Sequence, residues 1–154
     1  MEPYNQNTIL ENGEGQVVGR YAEQEFANWL MANRMVFLYS GPDKGSIDFW
    51  VNDWTIDVKC KQRNVKAEPE HDAHVNWYQR EFPVHMYVFC SYWKQAERLQ
   101  WMGWIGKKEF WDQARRVEAG QLDGTFQEKK DSGKLKYSEL RPMSELIKGL
   151  ETVI

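Results

Sequence analysis

The chain reads as a single α/β domain built on a mixed sheet flanked by helices. Three observations predict this. Val18, Ala22, Phe26, Trp29 and Leu30 form one apolar stripe at helical spacing. Residues 46–51 and 54–61 then alternate apolar and polar with a two-residue turn between them, which is the pattern of a β-hairpin. Residues 84–92 are almost continuously apolar, as expected of a strand buried on both faces.

Taken in order, residues 1–16 are polar and acidic and read as an irregular arm. Residues 19–32 carry the helical stripe, and residues 35–39 suit a short strand. Gly41-Pro42-Asp43-Lys44-Gly45 is turn chemistry. In the hairpin, Ile47, Phe49 and Val51 lie on one side of the first strand; Ile56, Val58 and Cys60 lie on one side of the second. Asn52 suits a turn position with positive φ. Residues 66–81 are expected to be loop plus a short helix. After the buried strand come a further strand at 101–105 and a helix at 107–117 that turns Phe110, Trp111 and Ala114 inward. Residues 120–134 form a long polar connection, 135–140 an edge strand, and 142–150 a closing helix with Pro142 near its start. The expected order is α-β-β-β-α-β-β-α.

Composition narrows the classes. The chain has 154 residues, enough for one compact domain spanning 1–154, and 42% of them are hydrophobic, including eight Trp. Disorder is therefore not expected. No run of eighteen apolar residues and no secretory pattern occurs, so a cytoplasmic protein without a membrane partner is expected. Cys60 and Cys90 each sit in a strand-like run and read as buried free thiols. The net charge of −3 disfavours a protein that merely coats nucleic acid. Its distribution is uneven: residues 1–58 hold nine acids and three bases, and residues 59–66 hold four bases and no acid. An acidic patch beside a basic stripe suits a cation site next to a phosphate-contacting surface.

With Asn52 and Asp53 as the turn, hairpin partners sum to 105. Val51 faces Trp54, Phe49 faces Ile56, Ile47 faces Val58, and Asp48 falls opposite Asp57. Opposed side chains have Cβ atoms about 4.5–5.5 Å apart, so two carboxylates there repel. A hard divalent cation such as Mg²⁺ converts that repulsion into ligation. Lys59 shares the face of Asp57, where its ammonium can orient water or steady charge on a phosphoryl oxygen. The carbonyl of Val58 lies at the cluster edge as a further candidate ligand. Position 43, by contrast, falls opposite Gln62, about 16 Å along the strand from Asp57, so Asp43 reads as a turn residue.

Gly19-x-x-x-Glu23, then Ser46-Ile47-Asp48, then Asp57-Val58-Lys59 resembles the PD-(D/E)XK nuclease superfamily, in particular its small phage-encoded or archaeal Holliday-junction-resolvase-like members. The resemblance spans roughly residues 18–106, and Glu139-Leu140-Arg141-Pro142 looks like the tail of the phage type. It implies a restriction-endonuclease-like αβββαβ core and hydrolysis of DNA phosphodiesters with Mg²⁺ or Mn²⁺, in a host cytoplasm for a phage-encoded protein. Asp48 would be the principal metal ligand, Asp57 the second, Glu23 the first-helix acid and Lys59 the catalytic lysine. Gln79, ahead of the buried strand, matches a site-facing glutamine. Helical periodicity alone leaves both Glu23 and Glu25 at the edges of the apolar stripe; the spacing from Gly19 favours Glu23. The bases Lys61, Arg63 and Lys66 would contact DNA backbone phosphates. A homodimer is compatible with this class.

Two rival classes are carried. One is a binding or assembly module of the same fold with an inactive site; the other is an inhibitor whose acidic surface mimics DNA. His71-x-x-His74 has the look of a zinc pair, but no further Cys or His cluster completes four ligands, so solvent-exposed loop histidines are expected.

Overall fold

A computed structural model describes residues 14–41 and 47–152. Residues 1–13 of the expected arm at 1–16 and the turn carrying Asp43 lie outside these residues; residues 14–16 are not arm but the start of the first helix. The first helix, α1 (Glu14–Ala32), buries Val18, Ala22, Phe26 and Leu30, the expected stripe at i, i+4 spacing. Strands β1 (Phe37–Tyr39), β2 (Phe49–Val51), β3 (Trp54–Arg63), β5 (Met86–Trp93) and β6 (Arg98–Gly106) form one sheet in the order β1-β2-β3-β5-β6. The pair β3·β5 is parallel and the other pairs are antiparallel, so the central sheet is mixed.

A parallel pair needs a crossover, and here the expected loop holds a strand ahead of the short helix, which is of 3-10 type. Residues 64–85 run through β4 (Asp72–Asn76) and a 3-10 turn (Trp77–Glu81). The strand β4 pairs with β10 (Ser132–Lys136), which also pairs with β7 (Arg115–Val117), making a second, three-stranded sheet. The second face of the central sheet is thus covered largely by strands. Asp72-Ala-His-Val-Asn76 alternates in burial as a half-buried strand should, with Ala73 and Val75 inward. Other boundaries move for similar reasons. The helix expected at 107–117 stops early as α2 (Lys107–Gln113), and its last residues join β7. The strand expected at the edge over 135–140 is instead the middle strand of the second sheet and begins at Ser132. Within the long polar connection lies a small hairpin, β8 (Leu122–Asp123) and β9 (Phe126–Gln127). The closing helix is a 3-10 turn (Met143–Glu145) followed by α3 (Leu146–Leu150).

Strand parity sorts two cores. Ile56, Val58, Met86, Val88 and Cys90 face α1 and α3, meeting Phe26, Leu30, Leu146 and Leu150. Tyr87 and Phe89 face the other way, against Val75, Phe110, Leu135 and Tyr137. The strand β5 is buried along nearly its whole length, as its composition predicted. Gly133 lies under the Trp111 ring of α2, and an added Cβ would collide with that ring. At the hairpin turn, Asn52 has φ of +52°. That turn is clasped from far along the chain: Asn52 Nδ2 donates to the Leu150 carbonyl at 2.8 Å and Trp54 Nε1 to the Thr152 carbonyl at 2.9 Å. Among the described residues no helix is long and apolar enough to cross a membrane.

Candidate functional site

The predicted register holds where the hairpin is paired: Val51 faces Trp54, Trp50 faces Thr55, and Phe49 faces Ile56. One step further the ladder breaks. The Asp48 N–H donates to the Ile56 carbonyl at 2.9 Å, and the Val58 N–H is taken by the Asp48 side chain, Oδ2, at 2.8 Å. A carboxylate has replaced a main-chain carbonyl as the partner of β3. Ile47 consequently does not face Val58; it packs against the opposite core, the one that contains Tyr87 and Phe89. This corrects the expected pairing at the end of the hairpin. The break opens a fork between β2 and β3, and the Asp48 carboxyl sits in it.

Asp57 lies on the far side of the fork with its side chain 8% exposed, hydrogen-bonded to Asp48 and ion-paired to Lys59 Nζ at 3.0 Å. From α1, Glu23 approaches the same place: its Oε1 accepts from Tyr39 Oη at 3.0 Å, and its charge acts on both Asp48 and Tyr39. Glu25 is placed instead beside Tyr21. The Lys59 ammonium also donates to Oε1 of Gln79, which the 3-10 turn brings over β3. The Ile56 carbonyl faces β2, so alternation turns both the N–H and the carbonyl of Val58 toward the fork. Glu23, Asp48, Asp57, Lys59, Gln79 and Val58 are therefore brought together.

Electrostatics mark the fork as short of positive charge. The Asp48 carboxyl is pushed up to about 9, first by burial, then by Asp57 and Glu23, against the opposing pull of the Val58 N–H. Burial raises Glu23 as well, and Asp57 adds to the rise, while the Tyr39 hydroxyl and Arg20 pull the other way. Burial also raises Asp57, but Lys59 opposes it most strongly. Asp48 and Asp57 are hydrogen-bonded to each other, so burial favours a proton on Asp48, while the Lys59 ammonium favours charge on Asp57. Exchanging that one proton for a cation is the chemistry this set of hard oxygen donors favours. Among the described residues, however, no three His, Cys, Asp or Glu side chains are grouped so as to enclose a metal. The fit to a divalent ion thus rests on two carboxylates and a carbonyl, with Glu23 behind them.

The basic stripe divides. Lys59 and Lys61 line a pocket of about 440 Å³ between the central sheet and the residues that follow β9. The Arg63 guanidinium turns inward, donating to the Asp72 carbonyl at 3.0 Å and to Tyr137 Oη at 3.3 Å. Lys66 is exposed past the end of β3. His71 accepts from the Glu68 N–H within its own loop. His74, expected on an exposed loop, is instead on β4, partly buried against Glu128, and burial lowers it to about 4. Sequence reasoning missed the group around it. Lys134, 4% exposed, is paired with Glu128 and Asp123, and Asp123 with Arg115, which also holds Asp72. Its signal was the run of charge in a segment that looked like plain connection. Cys60 and Cys90 are free and face each other across β3 and β5. In comparisons with known proteins, the chain matches no protein-family model and no curated sequence.

Proposed function

We propose that this protein is a metal-dependent nuclease that hydrolyses DNA phosphodiester bonds, on a restriction-endonuclease-like core formed by α1, β1, β2, β3 and β5. The order of one helix, three antiparallel strands and a strand parallel to the third supports the core reading. The crossover through β4 departs from it. The observation that carries the function is the fork: the buried carboxyls of Asp48 and Asp57, with Glu23 behind them, beside the Lys59 ammonium, which is held by Gln79.

Asp48, Asp57 and the Val58 carbonyl, with Glu23 behind, would hold Mg²⁺ or Mn²⁺. When bound, such an ion polarises a phosphoryl oxygen and lowers the pKa of a bound water. The chain's own part is positional. The Val58 N–H fixes one oxygen of Asp48. Gln79 and Asp57 aim the Lys59 ammonium at the mouth of the fork, where it hydrogen-bonds the attacking water or a non-bridging phosphoryl oxygen.

Single-turnover cleavage of linear, nicked and four-way-junction DNA at saturating Mg²⁺ or Mn²⁺ tests the reading. The wild type is expected to cut, and Lys59→Ala to cut about 10²–10³-fold more slowly with metal affinity retained. A binding module on the same fold is the second reading, favoured by the lack of a three-carboxylate cage among the described residues. A wild type that cuts neither DNA nor RNA with either metal would decide for it. In that case Lys59→Ala would lower the melting temperature and change nothing else.

A further inference from the structure

We propose that the pocket beside Lys59 receives one unpaired nucleotide of a DNA strand, with its base against Phe126 and its backbone along Lys61, Lys129 and Lys130. The inference deepens the nuclease reading by naming the state of the substrate, and it rests on that reading for its location next to the scissile bond. At about 440 Å³ the pocket is at the small-ligand end of the usual ~300–1,000 Å³ range, the size of a nucleotide and not of a duplex. Its floor is the β3–β5 face of the central sheet, one wall is β4, and the other is the chain from Phe126 to Lys130.

The lining has the two properties that unpaired strands require: an exposed aromatic ring and several cations. Phe126 is 54% exposed, a large ring that the fold leaves half uncovered at the pocket edge. An exposed aromatic beside lysines is the usual platform for stacking a base. Lys61, Lys129 and Lys130 supply positive charge, while Glu128, the acid among them, is neutralised by Lys134. His74 and Asn76 on β4 present polar edges to the same space. Burial and the surrounding lysines keep His74 uncharged, so it offers a hydrogen bond and adds no charge. Glu128 and Asp123 both pair with Lys134, which ties this wall to β10.

The test is fluorescence anisotropy on the full chain in EDTA, with a short labelled oligothymidylate and its duplex with oligoadenylate. The wild type is expected to bind the single strand more tightly. Phe126→Ala should weaken single-strand binding about 5- to 150-fold and leave duplex binding unchanged, and Phe126→Trp should restore it. Lys129→Ala with Lys130→Ala should flatten the salt dependence by about 0.7 in slope for each phosphate that is no longer neutralised. Equal affinity of the wild type for both oligonucleotides, no binding of either, or wild-type single-strand affinity in Phe126→Ala would overturn the inference. Because EDTA removes any cleavage, a wild type that binds as expected but cuts nothing defeats only the nuclease reading. One that cuts normally with Phe126→Ala unaffected in binding defeats only the pocket.

Discussion

Two places in this molecule bury charge, and they do it in opposite ways. Around β10, Lys134 is shared by Glu128 and Asp123, Asp123 by Arg115, and Arg115 by Asp72, so acids and bases alternate. The effect on Asp123 is a carboxyl held below its ordinary value, first by its hydrogen bond from Lys134. At the fork, Asp57 alone is paired with a lysine, Asp48 and Glu23 lie beside it, and all three carboxyls are raised. A fold that balances charge in one place leaves it unbalanced in another. Balanced burial holds the outer wall in place; unbalanced burial, on the proposed reading, keeps a place for a cation.

The strongest way to break this comparison is at Lys134. Replacing it with Ala leaves Glu128, 6% exposed, without its partner. The expected loss is ~3–5 kcal/mol, seen as a fall in melting temperature of about 2–4 °C per kcal/mol. Metal binding measured by calorimetry should be untouched. An unmoved melt would show that the lattice around β10 is not structural.

The fork should respond with the opposite sign. The Asp48 proton is held in the folded state up to about 9, against an ordinary 3.8, so its contribution to stability is complete below about 4 and gone above about 9. An asparagine in its place cannot ionise, yet offers the same acceptor to Val58 and a donor to Asp57. Metal-free Asp48→Asn should therefore match the wild type near pH 4 and melt higher near pH 8.5, by roughly 2–4 °C if ~1 kcal/mol is recovered. Parallel melting curves across that range would mean that the fork carries no excess of negative charge. The same variant should bind Mn²⁺ more weakly.

The smallest effect is reserved for the basic stripe. Lys61→Ala with Lys66→Ala should lower the slope of log K against log salt on single-stranded DNA by about 0.7 for each phosphate that the protein ceases to neutralise. Arg63→Ala should act through stability instead, because its guanidinium is engaged by Asp72 and Tyr137. If Arg63→Ala changes the slope and the lysine pair does not, the division of the stripe is the reverse of that drawn from the structure.

The hairpin was legible because its signals are local. Alternation and an Asn-Asp turn set a register that the structure keeps from Phe49 to Ile56. That register was enough to place Asp48 near Asp57 and to put Lys59 on the same face. The break at Ile47 was not legible: an apolar residue satisfies either core, and only the three-dimensional fork shows which one receives it. The strand β4 was missed for a related reason. Its partner β10 lies about sixty residues further on, and polar flanks obscure a short period-2 pattern. The choice between Glu23 and Glu25 also needed the fold, since both border the apolar stripe and Glu23 is the one that meets Tyr39.

The clasp on the hairpin turn has a consequence in time. Asn52 and Trp54 take their partners from residues 98 positions later, and Leu146 and Leu150 complete the core over Ile56. At a synthesis rate of about 5–20 residues per second, the ribosome needs roughly 5–20 s to deliver that segment. Throughout that interval the hairpin residues are already synthesised, while the partners of its turn and the Leu146 and Leu150 part of its cover are not. Local turn chemistry can set the register early, but the turn itself is clasped late. This delay makes the turn at Asn52 and Trp54 the part of the hairpin that a nascent chain closes last, whereas Phe49 has its partners Phe26, Phe37 and Tyr39 from the start.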